Sequence, residues 1–360
     1  MNRFLRYTLI VLSGLMMACE SEITSAGDRT DELIWLEHKG AQMPIWIEGN
    51  PANNTLIIIL HGGPGGNSLV YNDLLKVMSD GLEENYLLAY WDQRSSGNAR
   101  GNYDKDAVSL DQMREDLDLV VDLMKDQYGA GLKVFLLGHS WGGYLGNYYL
   151  LSKLSQNKIT GWIDVDGAHN IRKLTLDGLE LMKEISTQQI SMNSEFRDDW
   201  EEILDFVQNF DTTNLDETER FLEVNAKAGA AEVLAYRDGL IEATIPDLEG
   251  LWQHLAGANH PLTGLTNSYQ IARTQLLDEA IALPLTDELD KIKIPTLLLW
   301  GKYDFIVPPS LGEEMLDNLG TPDDRKSLII YENSGHSPMD GDAEAFTQEV
   351  IDFVEIYRQQ

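Results

Sequence analysis

The sequence predicts an α/β fold: a mostly parallel sheet flanked by helices, interrupted by one long helical insertion. Three observations predict it. Short continuous apolar runs alternate with stretches of helical spacing, as strands buried on both faces alternate with crossover helices. That alternation stops near Gly167 and resumes after Pro295, with helical periodicity and no convincing buried strand between. The pentapeptide Gly138-His139-Ser140-Trp141-Gly142 falls between one such run and one such helix.

Taken in order, Leu33 to His38 and Pro44 to Glu48 alternate with a period near two and read as an antiparallel edge. Thr55 to Leu60 is a continuous apolar strand, followed by a glycine-rich turn and a helix around Asn72 to Ser79. Tyr86 to Trp91 is the next buried strand. Asp111 to Gln127 is a helix, with Leu117, Val120, Val121 and Met124 on one face. Lys133 to Leu137 is a strand, Trp141 to Leu154 a helix and Ile159 to Val165 a strand. After the insertion come the strand Thr296 to Trp300, a helix Ser310 to Leu319, the strand Ser327 to Tyr331 and a closing helix Ala343 to Tyr357. The core is therefore expected to comprise residues 31–167 and 291–360, and a helical cap residues 168–290.

The 360 residues, 43% hydrophobic, suffice for one large core and a smaller second unit. With 27 basic against 59 acidic side chains the formal charge is −32, which repels phosphate backbones and excludes nucleic acid as an expected partner. The insertion alone carries 24 acidic and 8 basic residues, a net of −16. A solvated acidic face explains that excess; a cap that draws cationic substrates also would. The seven histidines are scattered, with no HExxH or CxxC pattern, so no metal is expected.

Residues 1–18 read as a signal peptide: Arg3 and Arg6 form a basic start, and Leu5 to Ala18 is a short, mostly apolar run. It ends in Leu15-Met16-Met17-Ala18-Cys19, which looks like a bacterial lipobox with Met16 where Leu is commoner. Cleavage before Cys19 would free its amine and thiol for acyl chains, anchoring the protein to a membrane. Residues 19–30 would be the tether. Cys19 is the only cysteine, so the folded part has no internal disulfide. A free thiol behind an ordinary secretory signal is the plainer alternative.

The pentapeptide matches G-x-S-x-G, and its strand–turn–helix context is what that motif needs. Ser140 would sit on a strained turn crowded by neighbours, so Gly138, Gly142 and Gly143 must be small. A serine hydroxyl attacks only when a base takes its proton and an acid orients the base. In the α/β-hydrolase fold the order along the chain is Ser, acid, His, the last two after late strands. Asp304 and His336 occupy those loops. Asp166, after an earlier strand, is the competing acid. His139 lies inside the turn, His254 and His260 belong to the insertion, and His38 and His169 read as structural. His61-Gly62-Gly63-Pro64-Gly65-Gly66 follows the strand Thr55 to Leu60 and offers backbone N–H groups for an oxyanion. The expected donors are Gly62, Gly63 and Trp141.

His61-Gly62-Gly63-Pro64-Gly65, Trp91-Asp92-Gln93-Arg94 and the pentapeptide together resemble the proline iminopeptidase family. Gly301-Lys302-Tyr303-Asp304 and Ser334-Gly335-His336-Ser337 resemble its acid and base loops. The likeness covers roughly residues 30–167 and 291–360. It implies removal of an N-terminal residue, often proline, from small peptides, with a closing helical cap and no cofactor. It also implies cap carboxylates that hold the substrate's free amine. Ser95 and His139 stand where that family usually has glycine, and Trp200-Glu201-Glu202 is at best a fragment of its tryptophan–glutamate signature. A carboxylesterase for small acyl esters, and a non-catalytic binding protein on the same fold, are the alternatives.

Overall fold

The computed structural model describes residues 29–73, 75–242 and 267–360. Cys19, His254 and His260 lie outside the described residues. The sheet runs β1 (Thr30–His38), β2 (Ala41–Gly49), β4 (Leu87–Trp91), β3 (Thr55–Leu60), β6 (Lys133–His139), β7 (Gly161–Val165), β8 (Thr296–Gly301), β9 (Lys326–Tyr331), with the two-residue β5 (Arg100–Gly101) paired to β2. Strands β1 and β2 form an antiparallel hairpin, and β2 also runs antiparallel to β4; from β4 to β9 all pairs are parallel. The hairpin turns through Lys39 (φ 44) and Gly40 (φ 80), the positive pair that a two-residue turn between right-twisted strands demands. This is the α/β-hydrolase arrangement, as the alternation of apolar runs and helices predicts.

The continuous apolar runs have a direct structural reading. In β3, Leu56, Ile58 and Leu60 pack into one hydrophobic layer while Ile57 and Ile59 pack into the other. In β6, Val134 and Leu136 divide from Phe135 and Leu137 in the same way. The first layer is closed by α3 (Leu110–Tyr128), α4 (Trp141–Leu150) and α10 (Pro309–Asn318). The second is closed by α2 (Lys76–Glu83) and α12 (Ala343–Tyr357). Two expected helices are divided. The helix around Asn72 is α1 (Val70–Asp73) followed by α2, and the one after Ser140 is α4 followed by α5 (Lys153–Gln156). In the second case Ser152 adopts extended backbone (ψ 124), which breaks the hydrogen-bond ladder.

Among the described residues no strand lies between Val165 and Thr296. That interval contains α6 (Ile171–Ser191), α7 (Arg197–Asn209), α8 (Thr218–Arg237) and α9 (Asn267–Ala282). Leu179, Met182, Trp200, Ile203, Val224 and Leu234 build a third, separate apolar cluster, with Phe305 of the core packed into it. Trp200 is fully buried there and donates its indole N–H to Asp238 at 2.8 Å, while Glu201 and Glu202 face solvent and pair with Arg197 and Lys227. The Trp200-Glu201-Glu202 fragment is thus cap scaffolding. Among the described residues, no helix is long and apolar enough to cross a membrane.

Arg94 and Asp116 are both fully buried, joined by two bonds of 2.7 and 2.8 Å in a fork, with His38 O and Gln112 taking up further valences. Removing one partner leaves the other charge without compensation in a medium that solvates it poorly. Asp116→Ala should cost about 3–5 kcal/mol, read in a urea titration as a lower midpoint with unchanged slope.

Candidate active site

The site is assembled where β3, β6, β7, β8 and β9 end. β6 delivers Ser140 at φ 59 and ψ −116, a conformation that non-glycine residues rarely hold, and α4 begins at the next residue. The turn is kept by its neighbours: Ser140 N–H donates to Val165 O at 3.0 Å and Ala168 N–H donates to Ser140 O at 3.2 Å. Its glycines are set by close approach. A Cβ on Gly142 would stand 1.9 Å from Leu60 O, and one on Gly143 would stand 2.3 Å from Gly167 Cα.

Asp304, in the loop after β8, is fully buried, and its carboxylate is pinned. Oδ1 accepts from Ile306 N–H and Val307 N–H, both at 2.8 Å, and Oδ2 is 2.8 Å from His336 Nδ1. That contact leaves Nε2 of His336 as the nitrogen available to a substrate or to Ser140. Burial pulls the imidazole pKa down, but the charge of Asp304, its hydrogen bond and the charge of Glu232 outweigh it, so His336 is raised above the ordinary histidine value.

Between these loops stands His139. Its Nε2 faces His336 O at 2.6 Å and its Nδ1 faces the Tyr71 hydroxyl at 2.7 Å. A carbonyl only accepts, so Nε2 carries the proton and Tyr71 O–H donates to Nδ1. Tyr71 in turn accepts from Gly62 N–H at 3.1 Å. Burial, with the neighbouring His336 second, lowers His139 to about 3, which keeps this link neutral. The ring also packs against His336, centroids 4.8 Å apart. His139 therefore joins the glycine loop to the His336 loop through the residue before Ser140.

The chain Gly62–Tyr71–His139 corrects one expectation. The Gly62 N–H is occupied by Tyr71, so Gly62 is not an oxyanion donor. A Cβ there would meet Ser140 Cβ at 3.4 Å, an ordinary van der Waals contact, so packing does not by itself demand glycine at this position. Gly63 and Trp141 both line a cavity with Ser140. As the first residue of α4, Trp141 has an N–H that precedes the intrahelical ladder.

The Asp92-Gln93-Arg94 stretch fixes the frame around those donors. Gln93 donates to His61 O and accepts from the Trp141 indole, tying the glycine loop to the residue after Ser140. Asp92 accepts from Ser68 N–H, Ser68 Oγ and Asn98 N–H at 2.6–2.8 Å. All three side chains are buried.

Among the described residues, two cavities adjoin the site. The smaller, about 50 Å³, contains Ser140 and is walled by Pro64, Trp141, Ile171, Phe221 and Ile306 among others, with Asn225 and Arg273 as its polar members. The larger, about 340 Å³, contains His336 and carries Glu232, Glu242 and Asp340 beside Tyr236 and Ile241. Ile306 lines both. Glu232, on α8 of the cap, accepts from the His336 backbone N–H, and burial followed by the charge of Asp304 pushes it up to about 7. Sequence reasoning did not single out Glu232 or Tyr71. The signal for Glu232 was its setting: one acid in the small, apolar run Gly229-Ala230-Ala231-Glu232-Val233-Leu234-Ala235.

Asp166 is also fully buried behind His336, its Oδ1 accepting from Gly301 N–H at 2.9 Å, but His336 Nδ1 bonds to Asp304. The only group of metal-type donors among the described residues is His139, Asp166 and His336, with donor atoms within 4.8 Å. Both nitrogens of His139 are already taken by Tyr71 and His336 O, which leaves it no atom free to hold an ion.

A family model described as "Alpha/beta hydrolase family" matches residues 57–349. The chain is 23% identical over 305 residues to the "Probable aminopeptidase YbaC" of Bacillus subtilis, spanning 82% of this chain and 87% of that one. It is 24% identical over 314 residues to a "Proline iminopeptidase" of Saccharolobus solfataricus, spanning 84% and 86%. Among solved structures it superposes on the proline iminopeptidase of Mycobacterium smegmatis with a TM-score of 0.59 at 14% identity, covering 91% of this chain and 99% of that one. That last likeness concerns the fold alone.

A carboxylate held near pKa 7 in the fold but near its ordinary 4.5 when unfolded opposes folding once it ionises. Between those values the folded state binds more protons, so stability from this group falls as pH rises. Glu232→Gln should therefore be more stable than the parent at pH 8, by roughly 1–3 kcal/mol. The gain should vanish below pH 4.5, as paired urea titrations at the two pH values would show.

Proposed function

This chain belongs to the alpha/beta hydrolase family, and from that premise we propose that it is a serine exopeptidase that removes the N-terminal residue of short peptides. In this reading Ser140 Oγ attacks the carbonyl of the first residue while His336 Nε2 takes its proton. Asp304 holds the ring through Nδ1 and stabilises the imidazolium. The N–H groups of Gly63 and Trp141 face the developing oxyanion. His336 then gives its proton to the leaving amine. Water, deprotonated by the same imidazole, resolves the acyl-enzyme and frees Ser140.

One observation carries the choice of an aminopeptide: the cavity at His336 is walled by the carboxylates of Glu232, Glu242 and Asp340. An ammonium group leaving water needs a paired carboxylate, and a buried one attracts it most strongly. Glu232 is half-buried against His336, with a pKa that an incoming cation would pull down again. The named aminopeptidase relatives support the same reading. The apolar wall beside Ser140 suits a small, uncharged residue such as proline as the acyl group. We further propose that the protein is exported and tethered to a membrane by acylated Cys19.

Ser140→Ala should lower turnover of aminoacyl arylamides at least about 10³-fold, and N-acetylation of the substrate should abolish turnover by the parent enzyme. Turnover of short-chain aryl esters alone, unaffected by any need for a free amine, would make the protein a carboxylesterase. For the tether, Cys19→Ser should move the protein from the membrane fraction to the soluble one; an unchanged distribution would remove the lipid anchor from the reading.

A further inference from the structure

We propose that Asp166 and Asp304 form a proton-sharing pair behind His336, in which Asp166 is the neutral member and donates its hydrogen bond to Asp304. The inference rests on Asp304 and His336 acting as acid and base.

The pairing follows from strand register. β7 and β8 are parallel neighbours with Val165 opposite Leu299, and Asp166 N–H continues the ladder to Leu299 O at 3.0 Å. Asp166 directly follows β7 and Asp304 lies in the loop after β8, and the two side chains are hydrogen-bond neighbours. Asp166 is held there at φ 46, at the edge of the left-handed region that aspartate adopts more readily than most side chains. Its Oδ1 accepts from Gly301 N–H, and its Oδ2 is buried with no donor. Asp304, fully buried as well, has two N–H donors on Oδ1 and His336 on Oδ2.

As two anions this pair would be untenable. Their charges repel, and Asp166 Oδ2 would be an orphaned acceptor in the interior. One proton removes both difficulties. Placed on Asp166 Oδ2, it turns the orphan into a donor, and the Asp304 carboxyl lies within hydrogen-bonding reach. Six titratable groups face Asp166. They are Asp304 from the loop after β8, Glu232 from the cap, His139 and His336 from the site loops, Tyr71 from α1 and Tyr331 from β9. The two carboxylates among these oppose a second negative charge; the two histidines lie within 4.8 Å but His139 is neutral. Burial, then the charge of Asp304, moves Asp166 well above the carboxylate range, in agreement with the geometry.

The consequence is that His336 faces a pair with a single negative charge, whose orientation is fixed by five hydrogen bonds of which Asp166 supplies one. Asp166 is a positioning residue, acting through Asp304. The step involves no net transfer: the proton stays within the pair while His336 cycles between its two forms.

The test compares Asp166→Asn with Asp166→Ala. The amide keeps a donor toward Asp304 and the same pair charge; alanine keeps neither the donor nor the shape. Asp166→Ala should lower kcat about tenfold with KM unchanged, and Asp166→Asn should restore most of that loss. Equal kcat in the two variants would overturn the proposal. So would a fall of about 10⁴-fold in Asp166→Asn, the signature of an ionised acid lost. An infrared difference spectrum of free protein at pH 7, parent minus either variant that folds, should contain the carbonyl stretch of one protonated carboxylic acid; its absence overturns the pairing. That spectrum needs no turnover. Failure of the Ser140 reading would instead appear as activity surviving Ser140→Ala, with the spectrum unaffected.

Discussion

The site depends on one constraint, the parallel register of β3, β6, β7, β8 and β9. Parallel strands all end on the same edge, so the loops leaving them converge there whatever their sequences. Leu60 lies opposite Gly138, His139 opposite Val165, Val165 opposite Leu299, and Trp300 opposite Ile330. Four consecutive pairings thus bring the glycine loop, Ser140, Asp166, Asp304 and His336 to one place from positions up to 275 residues apart. A slip of one residue in any pairing would exchange the two hydrophobic layers of that strand. The layers differ in every neighbour they touch, so the apolar side chains that stabilise the sheet also fix the geometry of the chemistry.

Within that frame the charges are arranged against ordinary solvation. Three carboxyl groups, Asp166, Glu232 and Asp304, surround one imidazole; Asp166 and Asp304 are fully buried and Glu232 is half-buried. A stable interior would hold fewer, because each anion loses water and repels the next. The arrangement persists because backbone N–H groups of residues 301, 306, 307 and 336 all point at these oxygens. Such donors are rigid and need no reorganisation when charge moves through His336. Glu232 differs from the other two in coming from the cap. It ties the cap to the backbone of His336, so a change in its protonation or partner is felt directly at that residue.

The strands, the helical insertion, the turn at Ser140 and the loops of Asp304 and His336 were legible because each is written locally. An apolar run of five or six residues, a glycine that must be small, or an acid after a late strand needs no knowledge of distant neighbours. What was not legible depends on which side chains meet across the sheet. Tyr71 reads as an ordinary helix residue, yet it takes the Gly62 N–H and so removes that group from the expected oxyanion donors. His139, set aside as a residue inside the turn, bridges two loops from strands β3 and β9. Asp166 and Asp304 were competitors in the sequence, because only one can be the acid that bonds to Nδ1. In space both stand behind the same ring. The division of the helix near Asn72 and the two-residue β5 were missed because short elements leave too few residues for a period to form.

The same reasoning locates where specificity must be decided. Every group to which the proposed acyl transfer is assigned belongs to the core, held by backbone pairing that any serine hydrolase of this fold can use. Nothing in that machinery distinguishes an amide with a free amine from a simple ester. The groups that can distinguish them sit on or beside the cap: Glu232 and Glu242 on one side, and Ile171, Phe221 and Asn225 on the other. Glu232 is the informative one, because burial makes its charge costly in the empty site and a bound ammonium would offset that cost. A site built for neutral esters could meet the His336 N–H with an uncharged acceptor and avoid a carboxyl group that opposes folding when ionised. A site built for a cation has reason to retain one, since the energy stored against Glu232 in the free protein is returned when the amine arrives. The unfavourable burial of this one acid, more than the overall charge of the cap, is the physical argument for an aminopeptide substrate.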